Sequence, residues 1–227
     1  MAMNYREGPQ RFPEEAATEQ TRNQELLKQA IEEYKRGPVT PDVVTNYWKA
    51  KLPDLAIPAC DWSPEQVQAP MKDIKGNDVP GILVPDTDKI SLPLLGRRYP
   101  SMVSYSVRED TPVTDTHETR GYVKVYAAID SPNRVTTQSQ LEKFAEKEGY
   151  LGQRLRTYIL TSQASKDLTG KYFDEGDTSS RLLGSRDGGS VIDARFRRNG
   201  YLTVHWDLRP DAHGPDLGGR FEEVKKA

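Results

Sequence analysis

The chain is short of the residues that most enzyme and metal chemistry needs. Of 227 residues one is cysteine, Cys60, and three are histidine, His117, His205 and His213. A single thiol excludes an internal disulfide and any zinc site built from several cysteines of one chain. No run approaches the ~18 apolar residues of a membrane span, and the opening stretch MAMNYREGPQRFPEEA has no apolar centre for a secretory leader. The expectation is a soluble, cytoplasmic protein with no membrane partner. Charge of one sign is also lacking. Lys plus Arg number 32 against 34 Asp plus Glu, so bulk electrostatics favours neither nucleic acid nor an anionic surface, and a nucleic-acid partner would need a local patch.

The usual catalytic signatures are missing too. There is no HExxH, no GxSxG elbow, and no glycine loop running into Lys and Ser or Thr at a helix start. The glycines of LGSRDGGS, residues 183–190, lead into alternating residues instead, so Asp187, Gly188 and Gly189 read as a turn. The acids of FDEGDTSS, residues 173–180, lack the oxygen spacing of a calcium loop, and this stretch reads as a solvated connector. Three acid-x-lysine pairs, Glu33/Lys35, Asp73/Lys75 and Glu223/Lys225, are about what chance supplies at this composition. No motif assigns a cofactor.

What is present is local structural grammar. Residues 1–12 read as a disordered tail and 13–52 as an N-terminal helical hairpin. Pro13 with two following glutamates opens the first helix, Leu26, Leu27, Ala30, Ile31 and Tyr34 make its apolar stripe, and Gly37-Pro38 stops it. Thr40, Pro41 and Asp42 are an N-cap, N1 and N2 sequence for the second, whose apolar side is Val43, Val44, Tyr47, Trp48 and Leu52. Residues 53–120 hold nine of the sixteen prolines and read as a loop-rich arm with short strands near Gly81–Val84 and Met102–Val107.

Residues 121–221 read as an α+β core. It has a strand over 121–130, a helix capped by Thr137 and Gln140 and ended by Gly149, a helix over roughly 151–169, and a hairpin. Residues 222–227 are a charged tail. The fold class expected is α+β: an N-terminal helical hairpin, a loop-rich middle, and a C-terminal antiparallel sheet with helices packed on one face.

The hairpin in SVIDARFRRNGYLTVHWDL, residues 190–208, has a register that the letters decide. A two-residue Asn-Gly loop would mix apolar and polar residues on each face. A three-residue loop, Arg198-Asn199-Gly200 with a left-handed glycine, pairs Phe196 with Leu202, Ala194 with Val204 and Ile192 with Trp206. The other face then carries Arg197 beside Tyr201, Arg195 beside Thr203, Asp193 beside His205 and Val191 beside Asp207.

Three functions follow from this reading. The leading one is a non-catalytic interaction or accessory protein that binds a protein partner or a second copy of itself through Leu27, Ile31, Tyr34, Tyr47 and Trp48. A metal-dependent hydrolase would use Asp193, His205 and Asp207, an imidazole and two carboxylates on one face. A nucleic-acid binder would lay Arg195, Arg197 and Tyr201 along a phosphate backbone.

Overall fold

A computed structural model describes residues 13–206 and 208–225, with side chains from residue 18. The expected tail over 1–12 and the ligand candidate Asp207 lie outside these residues. Pro13 and Gly37 bound the first helix as their backbone chemistry requires: α1 is Pro13–Arg36, and α2 is Pro41–Lys51. The Thr40 hydroxyl accepts from the Val43 amide at 3.3 Å, so the N-cap is the one the letters specify. The middle of the chain supplies α3 (Pro64–Gln68), the small antiparallel pair β1 (Met71–Lys72) and β2 (Asp78–Val79), then β3 (Gly81–Asp86), α4 (Leu92–Arg98) and β4 (Thr114–Asp115).

The strand expected over 102–107 is instead two single turns of 3-10 helix, Pro100–Met102 and Tyr105–Val107. Its serines alternate with apolar residues as in a half-buried strand, but Ser104 and Ser106 are themselves buried and share a 2.9 Å hydrogen bond. With both hydroxyls satisfied inside, alternation carries no face information.

The second half adds β5 (Gly121–Tyr126), α5 (Gln138–Glu148), β6 (Leu151–Gly152), α6 (Leu155–Thr169), β7 (Ser179–Asp187), β8 (Ser190–Phe196), β9 (Leu202–His205), β10 (Leu217–Gly219) and β11 (Phe221–Val224). The class is α+β, with helices at the N-terminus and the sheets mainly in the second half. One sheet is antiparallel in the order β3-β5-β11-β6. The other runs β10-β7-β8-β9 with β4 also on β7, and its β10–β7 pair is parallel. As its bounding prolines suggest, β3 is an edge strand, and its free side is closed where the Trp48 indole N–H donates to the Leu83 carbonyl at 2.8 Å.

The expected charged tail is corrected at its start. Residues 222–224 belong to β11, which lies between β5 and β6, because Glu222 has buried partners that a charge count does not reveal.

Helix α6 lies deep in the molecule. Leu155, Tyr158, Ile159, Leu160 and Ala164 are buried, but so are Thr157, Thr161, Ser162, Gln163 and Ser165. Most of these polar groups are satisfied locally. Thr157 Oγ1 donates to the Arg154 carbonyl and Thr161 Oγ1 to that of Thr157, while Ser162 Oγ accepts from the Phe173 amide. Tyr158 stacks on Phe196 at 5.9 Å, which seats α6 on the apolar face of the β8–β9 hairpin. A smaller cluster joins Leu141, Phe144 and Ala145 of α5 to Leu183, Val191 and Phe221. Among the described residues no helix is long and apolar enough to cross a membrane.

Candidate functional site

The hairpin adopts the three-residue loop. Phe196 pairs with Leu202, Ala194 with Val204, Arg195 with Thr203 and Asp193 with His205, and the Arg197 amide donates to the Tyr201 carbonyl at 2.9 Å. Gly200 has φ +82°, and a Cβ there would sit 2.9 Å from Ser101 Oγ and 3.0 Å from Tyr172 Oη. Glycine is therefore needed twice over, for the left-handed backbone and for space. The ladder stops at His205. The expected Ile192–Trp206 pair does not form, and Trp206, 49% exposed, rests edge-on against Tyr105 at 5.1 Å. The Tyr105 hydroxyl in turn donates to Asp187.

Strand β7 extends the polar face, because Arg181 lies opposite Asp193. One row across the sheet is thus Arg181, Asp193 and His205; beside it stand Arg195 and Thr203, then Arg197 and Tyr201. Asp193 is buried, His205 and Arg197 are exposed, and Arg195, Tyr201 and Thr203 are half-buried. The Arg197 guanidinium lies 5.2 Å from the Tyr201 ring centre, a cation–π contact.

Arg181, 1% exposed, donates from Nη2 to the carbonyls of Arg209 and Ala212 at 3.2 Å, so the chain after β9 folds back across this face. Its Nη1 and the Thr203 hydroxyl are buried without hydrogen-bond partners among the described residues. Burial pulls the Arg181 pKa down, and Asp193 and Glu142 partly restore it. Among the described residues no carboxylate pairs with Arg195 or Arg197.

For the proposed metal ligands, the register brings Asp193 and His205 together, while Asp207 is outside the described residues. No three or more His, Cys, Asp or Glu among the described residues are grouped to hold a metal. The buried Arg181 guanidinium opposite Asp193 also places positive charge where a divalent ion would have to sit.

Of the proposed helical contact residues, two are used internally. Tyr47 and Trp48 are fully buried, with the Tyr47 hydroxyl on Asp167 at 2.8 Å and the Trp48 indole on β3. Leu27, Ile31 and Tyr34 pack partly buried against the same core. Tyr47 and Trp48 are thus corrected as docking residues, since neither is exposed, while Leu27, Ile31 and Tyr34 keep part of their surface open. The apolar stripe of an amphipathic helix found its partner within the chain, and on the described part of α1 Leu26 is the exposed large apolar side chain.

Two buried charge clusters escaped the sequence reading. In the first, Glu222 accepts from the Arg154 amide and guanidinium, from Thr157 Oγ1 at 2.5 Å, and from His117 Nε2 at 3.1 Å. It therefore sits at the positive end of α6 as well as against a guanidinium. Burial alone would raise this carboxyl, but His117 and Arg154 hold it down to about 2. Arg154 also pairs with Asp86 at 2.6 Å, and Arg156 pairs with Asp115 at 2.9 Å. His117 Nδ1 faces Thr116 Oγ1 at 3.4 Å, so both ring nitrogens are engaged.

In the second cluster, Asp174 accepts from Tyr158, Thr178, Ser180 and Arg220, whose guanidinium lies 4.0 Å over the Phe173 ring. The solvated connector expected over 173–180 is thus corrected, since Phe173, Asp174, Thr178 and Ser180 are buried. An acid-rich letter pattern says nothing about an arginine 46 residues away. Compared with known proteins, the chain matches no family model, no curated protein and no solved structure.

Proposed function

We propose that this is a non-catalytic binding protein that engages a protein partner, with the cytoplasm as its expected setting, and that its contact surface is the polar face of the β8–β9 hairpin. The observation that carries this reading is the pair Arg195 and Arg197, without carboxylate partners among the described residues, on one face with Tyr201. Arginine and tyrosine are among the residue types that most often anchor protein interfaces. The other ionisable clusters support the same reading from the opposite side. Glu222 with Arg154, and Asp174 with Arg220, satisfy one another in the interior, and both ring nitrogens of His117 have partners.

The test compares wild type with an Arg195→Glu/Arg197→Glu double variant, each used to capture partners in vivo by crosslinking before nuclease-treated purification. Loss of a specific protein from the variant, with the fold intact by circular dichroism, is the expected result. A variant that retains the same proteins as wild type refutes the hairpin as the contact. Capture that disappears from wild type on nuclease treatment would identify a nucleic acid as the occupant, since the same arginines suit phosphates.

A further inference from the structure

We infer that the polar face of β7–β9 holds an oxyanion, a carboxylate or phosphate group, between Arg181, Arg195 and Thr203. The inference goes beyond the proposed partner reading, because it concerns a defined small site and not the identity of what carries the anion. It starts from two buried donors with no hydrogen-bond partner among the described residues: Arg181 Nη1 and Thr203 Oγ1. A buried donor left unsatisfied costs roughly 1–3 kcal/mol, so two on one face call for an acceptor.

The register says what kind. Arg195 is directly opposite Thr203, and Arg181, paired with Asp193, is the diagonal neighbour of Arg195. Diagonal positions across an antiparallel pair are about 7–8 Å apart, within reach of long side chains, so two guanidiniums can share one oxyanion between them. Arg181 cannot swing away, because its Nη2 is held by two carbonyls of the chain crossing above. The balance of charge agrees. Arg181, Arg195 and Arg197 stand against two described carboxylates that act on Arg181, Asp193 opposite it and Glu142, which leaves positive charge in excess among these groups.

The experiment titrates wild-type protein with inorganic phosphate, and separately with acetate, at ionic strength held constant with sodium chloride, following the amide resonances of Thr203 and His205. Saturable shifts beyond those from chloride are expected. Arg195→Gln and Thr203→Val should each weaken the response about tenfold, and Arg36→Gln on α1 should leave it unchanged. Arg181→Gln is informative only if it folds, so the first two variants carry the test. Saturation by phosphate alone assigns a phosphate group. Equal saturation by acetate assigns a carboxylate, such as an acidic side chain of a partner.

No response beyond chloride, or Arg195→Gln and Thr203→Val titrating like wild type, overturns the site. That failure would be separable from failure of the partner reading, because the two share Arg195 but are read by different assays: protein capture tests the partner, and phosphate or acetate titration tests the site.

Discussion

Replacing Glu222 by glutamine should destabilise the protein in a pH-dependent way. The folded state holds this buried carboxyl down to about 2 from an ordinary value of 4.5. At about 1.4 kcal/mol per decade of affinity for the proton, that difference corresponds to roughly 3 kcal/mol of stability. Because the folded state favours the ionised form, the contribution is complete above pH 4.5 and is lost as pH falls from there towards 2. Glutamine keeps the shape and one acceptor oxygen but not the charge that His117, Arg154 and the end of α6 bind. Arg154 keeps Asp86, which limits the damage.

At pH 7 the variant should lose about 3 kcal/mol, or roughly 6–12 °C in Tm for a chain of this size. Urea unfolding of both proteins at pH 7, 5, 4 and 3, followed by far-UV circular dichroism, measures the gap directly. The gap should be constant between pH 7 and 5 and narrow below pH 4.5. A loss under about 1 kcal/mol at pH 7, or a gap that does not change between pH 5 and 3, would refute the assignment of Glu222 as the ionised partner of Arg154.

Three further outcomes follow from the packing. Gly200→Ala should cost about 1–2 kcal/mol, from its φ of +82° and the crowding against Ser101 and Tyr172; thermal melts equal to wild type would contradict the hairpin loop geometry. Trp48→Phe removes the donor to the Leu83 carbonyl and part of a buried ring, and should cost about 1–3 kcal/mol in chemical denaturation, a loss that an unchanged midpoint would disprove. Trp206→Ala, at a half-exposed site, should change stability by less than about 1 kcal/mol; a larger loss in a calorimetric scan would mean that its contact with Tyr105 is structural.

The parts of the fold that were legible are those set by neighbours in the chain. Thr40 caps α2 and Thr137 forms a capping box with Gln140, because the groups they satisfy lie within three residues. The β8–β9 register was legible because a one-residue slip would expose Phe196, Ala194 and Val204 together. The alternation over Met102–Val107 misled, since serines bonded to each other are as content inside as outside. The helical stripe of Leu27, Ile31 and Tyr34 was visible, but its partner was not: a stripe requires burial and does not say against what.

The candidate site divides the same way. Asp193 opposite His205, and Arg195 beside Thr203, follow from letters and the period-two geometry of a strand. Arg181 did not, because its place beside Asp193 depends on a bulged β7–β8 pairing that the alternation does not announce.

By itself, then, the sequence determined helix ends, turn chemistry and hairpin register, where the deciding contacts are local and steric. The tertiary structure alone decided the fate of the charges. Glu222 meets Arg154 across 68 residues, and Asp174 meets Arg220 across 46. A charged side chain exposed to water and one neutralised in the interior are the same letter, and only the fold that brings its counter-charge within hydrogen-bonding distance makes burial affordable.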